Sequence, residues 1–251
     1  MRHISVEGLN ADRLSSEPAY RVLADRIIAQ ILAGTIKPGE MLPREIDLAE
    51  QFGVHRSTVR EGIRLLEETG MLRRKSAKRL VVSVPDGGQL AARSAQALIM
   101  RRVTVRHIYE ANHAFDPVMA RIAAERASDA QIRRLKRNIE DMTAAEPDDL
   151  QALDAEFHSL VTEATNNIVL PIARQPLQDL FIPMVAKLIH SVDTRERMME
   201  AHRYIVTAID SRDPAMAELW MRRHMEDFKR GFLKAGFDFD APVSMDGELQ
   251  T

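Results

Sequence analysis

The chain has 251 residues, 45% of them hydrophobic but only 5% aromatic, a balance that suits helices packed through aliphatic side chains. Thirty-five Lys and Arg stand against 37 Asp and Glu, and cysteine is absent, which removes disulfides, thiolate metal sites and a cysteine nucleophile and fits a reducing compartment. No run approaches the roughly 20 apolar residues that span a bilayer, and MRHISVEGLNADRL lacks a signal-peptide core, so the expected setting is the cytoplasm with no membrane partner.

Residues 1–16 lack periodicity and read as a flexible arm. A first helix is expected from Pro18 to about Ala33, where Val22, Leu23, Ile27, Ile31 and Leu32 form an apolar stripe at helical spacing. Gly34 stops it, and the turn segment KPGEMLP leads into a second helix over Arg44–Gln51. Gly53 breaks that helix, a third runs from about His55 to Thr69, and Gly70 closes it. Two short strands follow, Met71–Arg74 and Leu80–Val84, around a basic tip carrying Arg73, Arg74, Lys75, Lys78 and Arg79. The turn-rich PDGG at 85–88 reads as a linker, which sets domain limits of 17–86 and 87–239. Residues 1–86 hold 14 Lys and Arg against 12 Asp and Glu, and the remainder 21 against 25, so the slight basic excess lies in the first domain.

Two short helices around a glycine turn, followed by a basic hairpin, make the plan of a winged helix-turn-helix: three helices plus a small β-hairpin. The third helix is the recognition candidate. Arg56 and Arg60 are four residues apart and share a face from which guanine edges or phosphates can be reached. Ser57, Thr58 and the free amides of the first turn suit phosphate oxygens, while Val59, Ile63 and Leu66 face the opposite way. A basic run by itself is usually a solvated face. Its place behind a helix-turn-helix turns the reading toward double-stranded DNA.

Beyond the linker the pattern is helical throughout, with segments at 89–101, 104–127, 129–144, 148–166, 168–190, 194–211 and 214–235, and it implies an all-α antiparallel bundle. Ser128 stands three residues before Gln131 as in a capping box, Thr194 precedes Arg195-Glu196, and Asp213-Pro214 supplies an N-cap with Pro at the first position. Pro171, Pro176 and Pro183 predict kinks or a broken helix in the fifth segment, and residues 240–251 read as a disordered tail.

Three of these helices break an apolar stripe with an ionisable group. Asp154 and His158 edge the stripe Leu150, Leu153, Phe157, Leu160, Val161. His202 interrupts Met198, Met199, Ile205, Val206, Ile209, and His224 interrupts Trp220, Met221, Met225, Phe228. Such groups facing a core are costly unless paired or coordinated. A hydrogen-bonded core histidine explains any one of them, but one shared ion explains the set. Three imidazoles and a carboxylate suit a divalent transition metal, zinc first, with nickel, manganese or iron as other fits.

The stretch KPGEMLPREIDLAEQFGVHRSTVREGIRLLEETGMLRR resembles the N-terminal domain of the GntR family of bacterial transcription regulators, through Pro38, Gly39, Leu42, Pro43, Glu45, Leu48, Ala49, Gly53, Val54, Arg56, Val59, Arg60, Leu65 and Gly70. The resemblance implies that Arg56, Ser57, Thr58 and Arg60 contact an operator. Arg44, His55 and the wing residues Arg74, Lys75, Lys78 and Arg79 complete the expected DNA-binding set. The chain departs from the family at His55 (usually Ser), Gly62 (usually Ala), Ile46 (where Arg is usual) and a wing tip without glycine.

The second domain resembles the FCD domain of the family's FadR branch. Asp154-Ala-Glu-Phe-His158, Glu200-Ala-His202-Arg-Tyr-Ile205 and Met221-Arg-Arg-His224 match its metal-ligand segments. That resemblance implies a metal, a small organic acid effector beside it, and a homodimer. Asn112 stands where the family often has an effector-pairing Arg, Arg106 nearly two turns earlier is the candidate substitute, and Asn167 matches a family Asn near the pocket. The expected function is therefore a ligand-responsive DNA-binding regulator, a repressor, rather than an enzyme. The alternatives are a metal-dependent enzyme acting on a small organic acid, for which no general base appears beside the ligands, and a regulator whose metal is structural or is itself the signal.

Overall fold

The computed structural model describes residues 17–76, 79–189 and 192–244 and is mainly helical. The expected arm at 1–16, Lys78, His190 and the end of the expected tail at 245–251 lie outside the described residues. The chain divides into two compact units between Asp86 and Gly87.

The first unit is a winged helix-turn-helix of α1 (Ala19–Leu32), α2 (Glu45–Phe52), α3 (Arg56–Glu68) and an antiparallel hairpin of β1 (Leu72–Ser76) and β2 (Arg79–Val82). Its core takes Leu23 and Ile27 from α1, Leu48 from α2, Val59, Ile63 and Leu66 from α3, and Leu72, Leu80 and Val82 from the hairpin. Gly53, at φ 65°, ends α2 in the left-handed conformation glycine adopts without strain, and so lets α3 start three residues later. Arg73 pairs with Val81 and Arg74 with Leu80, with an irregularity between Arg74 and Ser76. The KPGEMLP segment is more than a turn. Leu42 N–H donates to Leu80 O at 3.0 Å and Val82 N–H to Glu40 O at 2.9 Å, so this stretch pairs along β2 as a short third rung.

The second unit contains α4 (Gly87–Met100), α5 (Val105–Arg126), α6 (Asp129–Ala144), a 3-10 turn (Pro147–Asp149), α7 (Leu150–Ala164), α8 (Val169–Ile189), α9 (Val192–Asp210) and α10 (Pro214–Lys234). The caps at Ser128 and Asp213 form as the sequence predicts, with Ser128 Oγ accepting from Gln131 N–H at 3.3 Å and Asp213 Oδ1 from Met216 N–H at 3.0 Å. Alanines 120, 123 and 124 give α5 a small-side-chain face that is fully buried in the core it shares with α6, α7, α9 and α10.

Four expectations need correction. Gly87 and Gly88 belong to the first turn of α4, so the irregular connection ends at Asp86. Helix α9 starts at Val192, not behind Thr194. Helix α8 is continuous through Pro176 and Pro183, which overturns the broken-helix alternative: a proline removes one ladder bond without obliging neighbouring residues to leave the helix. The tail expected to begin at residue 240 is ordered to Ser244. Phe239, Ala241 and Val243 are buried, and carbonyls of the segment accept from amides at the start of α5: Arg106 N–H to Phe239 O at 2.8 Å and Val105 N–H to Ala241 O at 3.2 Å. A helix start has orphan N–H donors, and here a returning strand satisfies two of them.

Candidate metal centre and nucleic-acid interface

Asp154 and His158 lie one turn apart on α7, His202 comes from α9 and His224 from α10, and their donor atoms all fall within 4.8 Å of one another. His224 Nε2 is 3.3 Å from both His202 Nε2 and His158 Nε2, and His202 Nε2 is 3.6 Å from Asp154 Oδ1. An ion held about 2.0–2.1 Å from imidazole nitrogens in tetrahedral surroundings sets neighbouring donors about 3.3–3.4 Å apart. The donor set and its spacing therefore fit a divalent transition ion. The Nε2 atoms of all three histidines converge on one another, the atoms that would face a shared ion.

Electrostatics agree with this reading. Burial, then the neighbouring His224 and His158, hold the His202 imidazole well below its ordinary pKa, and burial and His158 lower that of His224 to about 3. Both rings are thus neutral, the form that ligates metal. Burial raises the Asp154 carboxyl, against the pull of His158 and Arg174. The ring of Phe157 stacks on His202, with centroids 3.8 Å apart, and fixes its plane.

Behind the cluster lies a polar layer that the sequence reading did not single out. His158 Nδ1 faces Asp116 Oδ2 at 3.4 Å, and Asp116 is clamped by Arg174 through Nε at 2.7 Å and a terminal nitrogen at 2.9 Å. Arg174 also donates to Gln178, whose amide donates to Ser159 Oγ at 2.9 Å. Burial opposes charge on Asp116, yet Arg174 outweighs it and keeps the carboxyl below its usual range. A carboxylate facing the outer nitrogen of a histidine orients the ring and directs Nε2 inward.

The effector positions fare differently. Asn112 is fully buried one turn before Asp116 on α5, and neither amide atom has a hydrogen-bond partner. Arg106 is held at the surface by Asp240, with Nε to Oδ1 at 2.6 Å, and lies over the Phe239 ring. Asn167 caps α8 by accepting from Val169 N–H at 3.0 Å. None of Arg106, Asn112 and Asn167 lines the cavity that opens beside the cluster. That cavity has Asp154, His158 and His224 at its buried end, and the exposed Arg197 and half-buried Asp227 at the other.

In the first unit, His55, Arg56, Ser57 and Arg60 are exposed and Thr58 half-buried at the start of α3, and Arg73, Lys75 and Arg79 are exposed on the hairpin. Several of the cations already have partners. Arg60 Nε donates to Glu45 at 2.9 Å, Arg74 Nε lies 2.8 Å from Glu67, and Arg44 pairs with Asp47 at 2.9 Å. Arg56, Arg60, Arg64 and Arg74 line one concave face together with Glu45 and Glu67.

A winged helix-turn-helix joined to a helical domain with a buried four-donor cluster is the architecture of a ligand-responsive transcription regulator. The profile of "Bacterial regulatory proteins, gntR family" matches residues 19–82 and that of the FCD domain matches residues 107–227. The chain belongs to the GntR family and is one of its transcriptional regulators, with an FCD effector-binding domain. Similar proteins include the HTH-type regulator YcbG of Bacillus subtilis, 27% identical over 93% of this chain and 97% of its own length. The Bacillus subtilis regulator LutR is 26% identical over 80% and 96%, and the Glc operon transcriptional activator of Escherichia coli 26% over 85% and 88%. The solved structure of Streptococcus agalactiae GntR is 27% identical, with a TM-score of 0.60 over 84% of this chain and 99% of that one. These relatives are regulators, not enzymes. Among the described residues no helix is long and apolar enough to cross a membrane.

Proposed function

We propose that the protein is a homodimeric, cytoplasmic repressor that releases its operator when a small organic acid binds beside a divalent ion, zinc first, held by Asp154, His158, His202 and His224. The single observation that carries this reading is the cluster itself, four donors spaced for one ion, three of which line the buried end of a cavity that reaches the surface. A bound ion would supply positive charge and, if its coordination expands beyond the four protein donors, would take a carboxylate or hydroxyl oxygen as a further ligand. Asn112, buried on α5 one turn from Asp116 with an unpaired amide, is the effector position whose unmet hydrogen-bonding groups support a polar ligand. On the DNA side, Arg56, Ser57, Thr58 and Arg60 read or brace the major groove, with Arg44, His55 and the wing cations on the backbone, and a dimer sets two recognition helices on successive grooves.

The relatives' names include both an activator and a repressor, so the sign of regulation needs its own measurement. The test is operator release from zinc-loaded protein across a panel of organic acids, followed by fluorescence anisotropy. The expected result is release by at least one acid, lost in His158→Ala together with the bound zinc. Full zinc content in His158→Ala, or binding no better to operator than to random duplex, overturns the reading.

A further inference from the structure

The walls of the cavity limit what can occupy it. Between the buried cluster and the surface it is lined by Phe181, Val185, Leu188, Met198, Met225 and Phe228, and its volume is about 40 Å³. Phe181 and Phe228 pack against each other in this wall, with centroids 4.4 Å apart. A hydroxyl laid against these side chains would lose its water without gaining a hydrogen-bond partner, at a cost that a methylene does not incur. At the outer end stands Arg197 on α9, exposed and without an ion-pair or hydrogen-bond partner among the described residues, whereas Asp227 beside it is paired with Arg230. Arg197 is the one arginine or lysine lining the cavity among the described residues.

We infer that the effector is a slim dicarboxylate with a hydrocarbon spacer, one carboxylate at the buried cluster and the other on the Arg197 guanidinium. This rests on the proposed acid-binding role of the cavity and gives it a chemical class. The two polar ends and the apolar middle match the ligand's own pattern, and a planar guanidinium suits a terminal carboxylate through paired N–H donors. Asn112 cannot replace Arg197 in this role, because an amide brings no charge. Arg197 is thus the residue that distinguishes a dicarboxylate from a monocarboxylate of the same length.

The experiment is isothermal titration of zinc-loaded full-length protein with glutarate, pentanoate and gluconate, repeated with Arg197→Ala and Arg197→Lys. The wild type is expected to bind glutarate about tenfold or more tightly than pentanoate, and gluconate least. Arg197→Ala should bring glutarate down to the pentanoate level while leaving pentanoate unchanged, and Arg197→Lys should recover part of the difference. Because Arg197 is exposed, its substitution should leave zinc content and melting temperature as in the wild type. Equal glutarate binding in wild type and Arg197→Ala, or a preference for gluconate, overturns the inference while the acid-binding role stands. No heat from any of the three acids, with zinc bound, counts against both.

Discussion

Asp116 and Arg174 meet in the interior, each about 3% exposed, and neither touches solvent enough to lose its partner cheaply. A buried ion pair adds little net stability, but removing one member strands the other. Arg174→Leu is therefore expected to lower unfolding stability by about 3–5 kcal/mol in urea titration, and to weaken zinc binding about 10–100-fold because the Asp116 carboxylate that orients His158 loses its clamp. A loss below about 1 kcal/mol would mean that the pair is not closed in solution. The histidines set the pH response. His202 and His224 stay neutral in the folded state below their ordinary value of 6.5, while the unfolded chain takes up protons there. The unfolded state then binds more protons, so stability of metal-free protein falls as pH drops from about 6.5 toward 3. The groups facing these rings act in both directions: Asp116, lowered, loses its contribution only at still lower pH, and Asp154, raised, favours folding on the acid side. Melting curves of chelator-treated protein between about pH 7.5 and 5.5 (roughly one unit either side of the histidine value) should show a steady decline. The zinc-induced stabilisation should shrink over the same range, since protons compete for the ligands. A flat profile would show that the rings titrate freely.

Helix α3 carries the element-scale test in Gly62. A Cβ added there would lie 2.8 Å from Leu23 Cδ2 and 2.9 Å from the backbone oxygen of Tyr20 on α1. The leucine tip can rotate away, but the carbonyl belongs to a helix and cannot. Gly62→Ala gains up to about 1 kcal/mol of helix propensity and meets an overpacking cost of about 1–3 kcal/mol, so the melting temperature should fall; a rise would show that α1 and α3 are less close in solution. The departure of this position from its family pattern was legible in the sequence, but its cause was not, since only the crossing of α1 reveals it. The same division runs through the site. The four cluster residues were legible because each interrupts a clean apolar stripe at helical spacing. Asp116 offered the same signal, sitting with Ile108, Asn112, Met119 and Ala123 on the buried face of α5. Arg174 and Gln178 did not, because α8 is apolar around much of its circumference and interrupted by prolines, so its phase cannot be read. The ordering of Phe239, Ala241 and Val243 was written as a short alternation, but its partner, the open start of α5, lies more than 130 residues away in the chain.

At the scale of the whole molecule, function requires that a ligand in the second unit alter what the first unit does on DNA. The acid can shift operator affinity only through a difference in its own affinity for the free and DNA-bound forms. If the acid weakens operator binding by some factor, saturating operator must weaken acid binding by the same factor. For the chain as built, the two factors measured independently, by anisotropy and by calorimetry, should agree within error and lie in the range of about 5–150. The covalent path between the units is short, since α4 begins at Gly87 directly after the irregular residues Ser83–Asp86. A flexible Gly-Ser insertion between Asp86 and Gly87 should leave zinc content, acid affinity and the fold of each unit intact, because no core residue is moved. It should bring both coupling factors toward one. If the factors survive the insertion unchanged, the signal does not pass through this connection, and contacts made only in the dimer or on the operator must carry it instead.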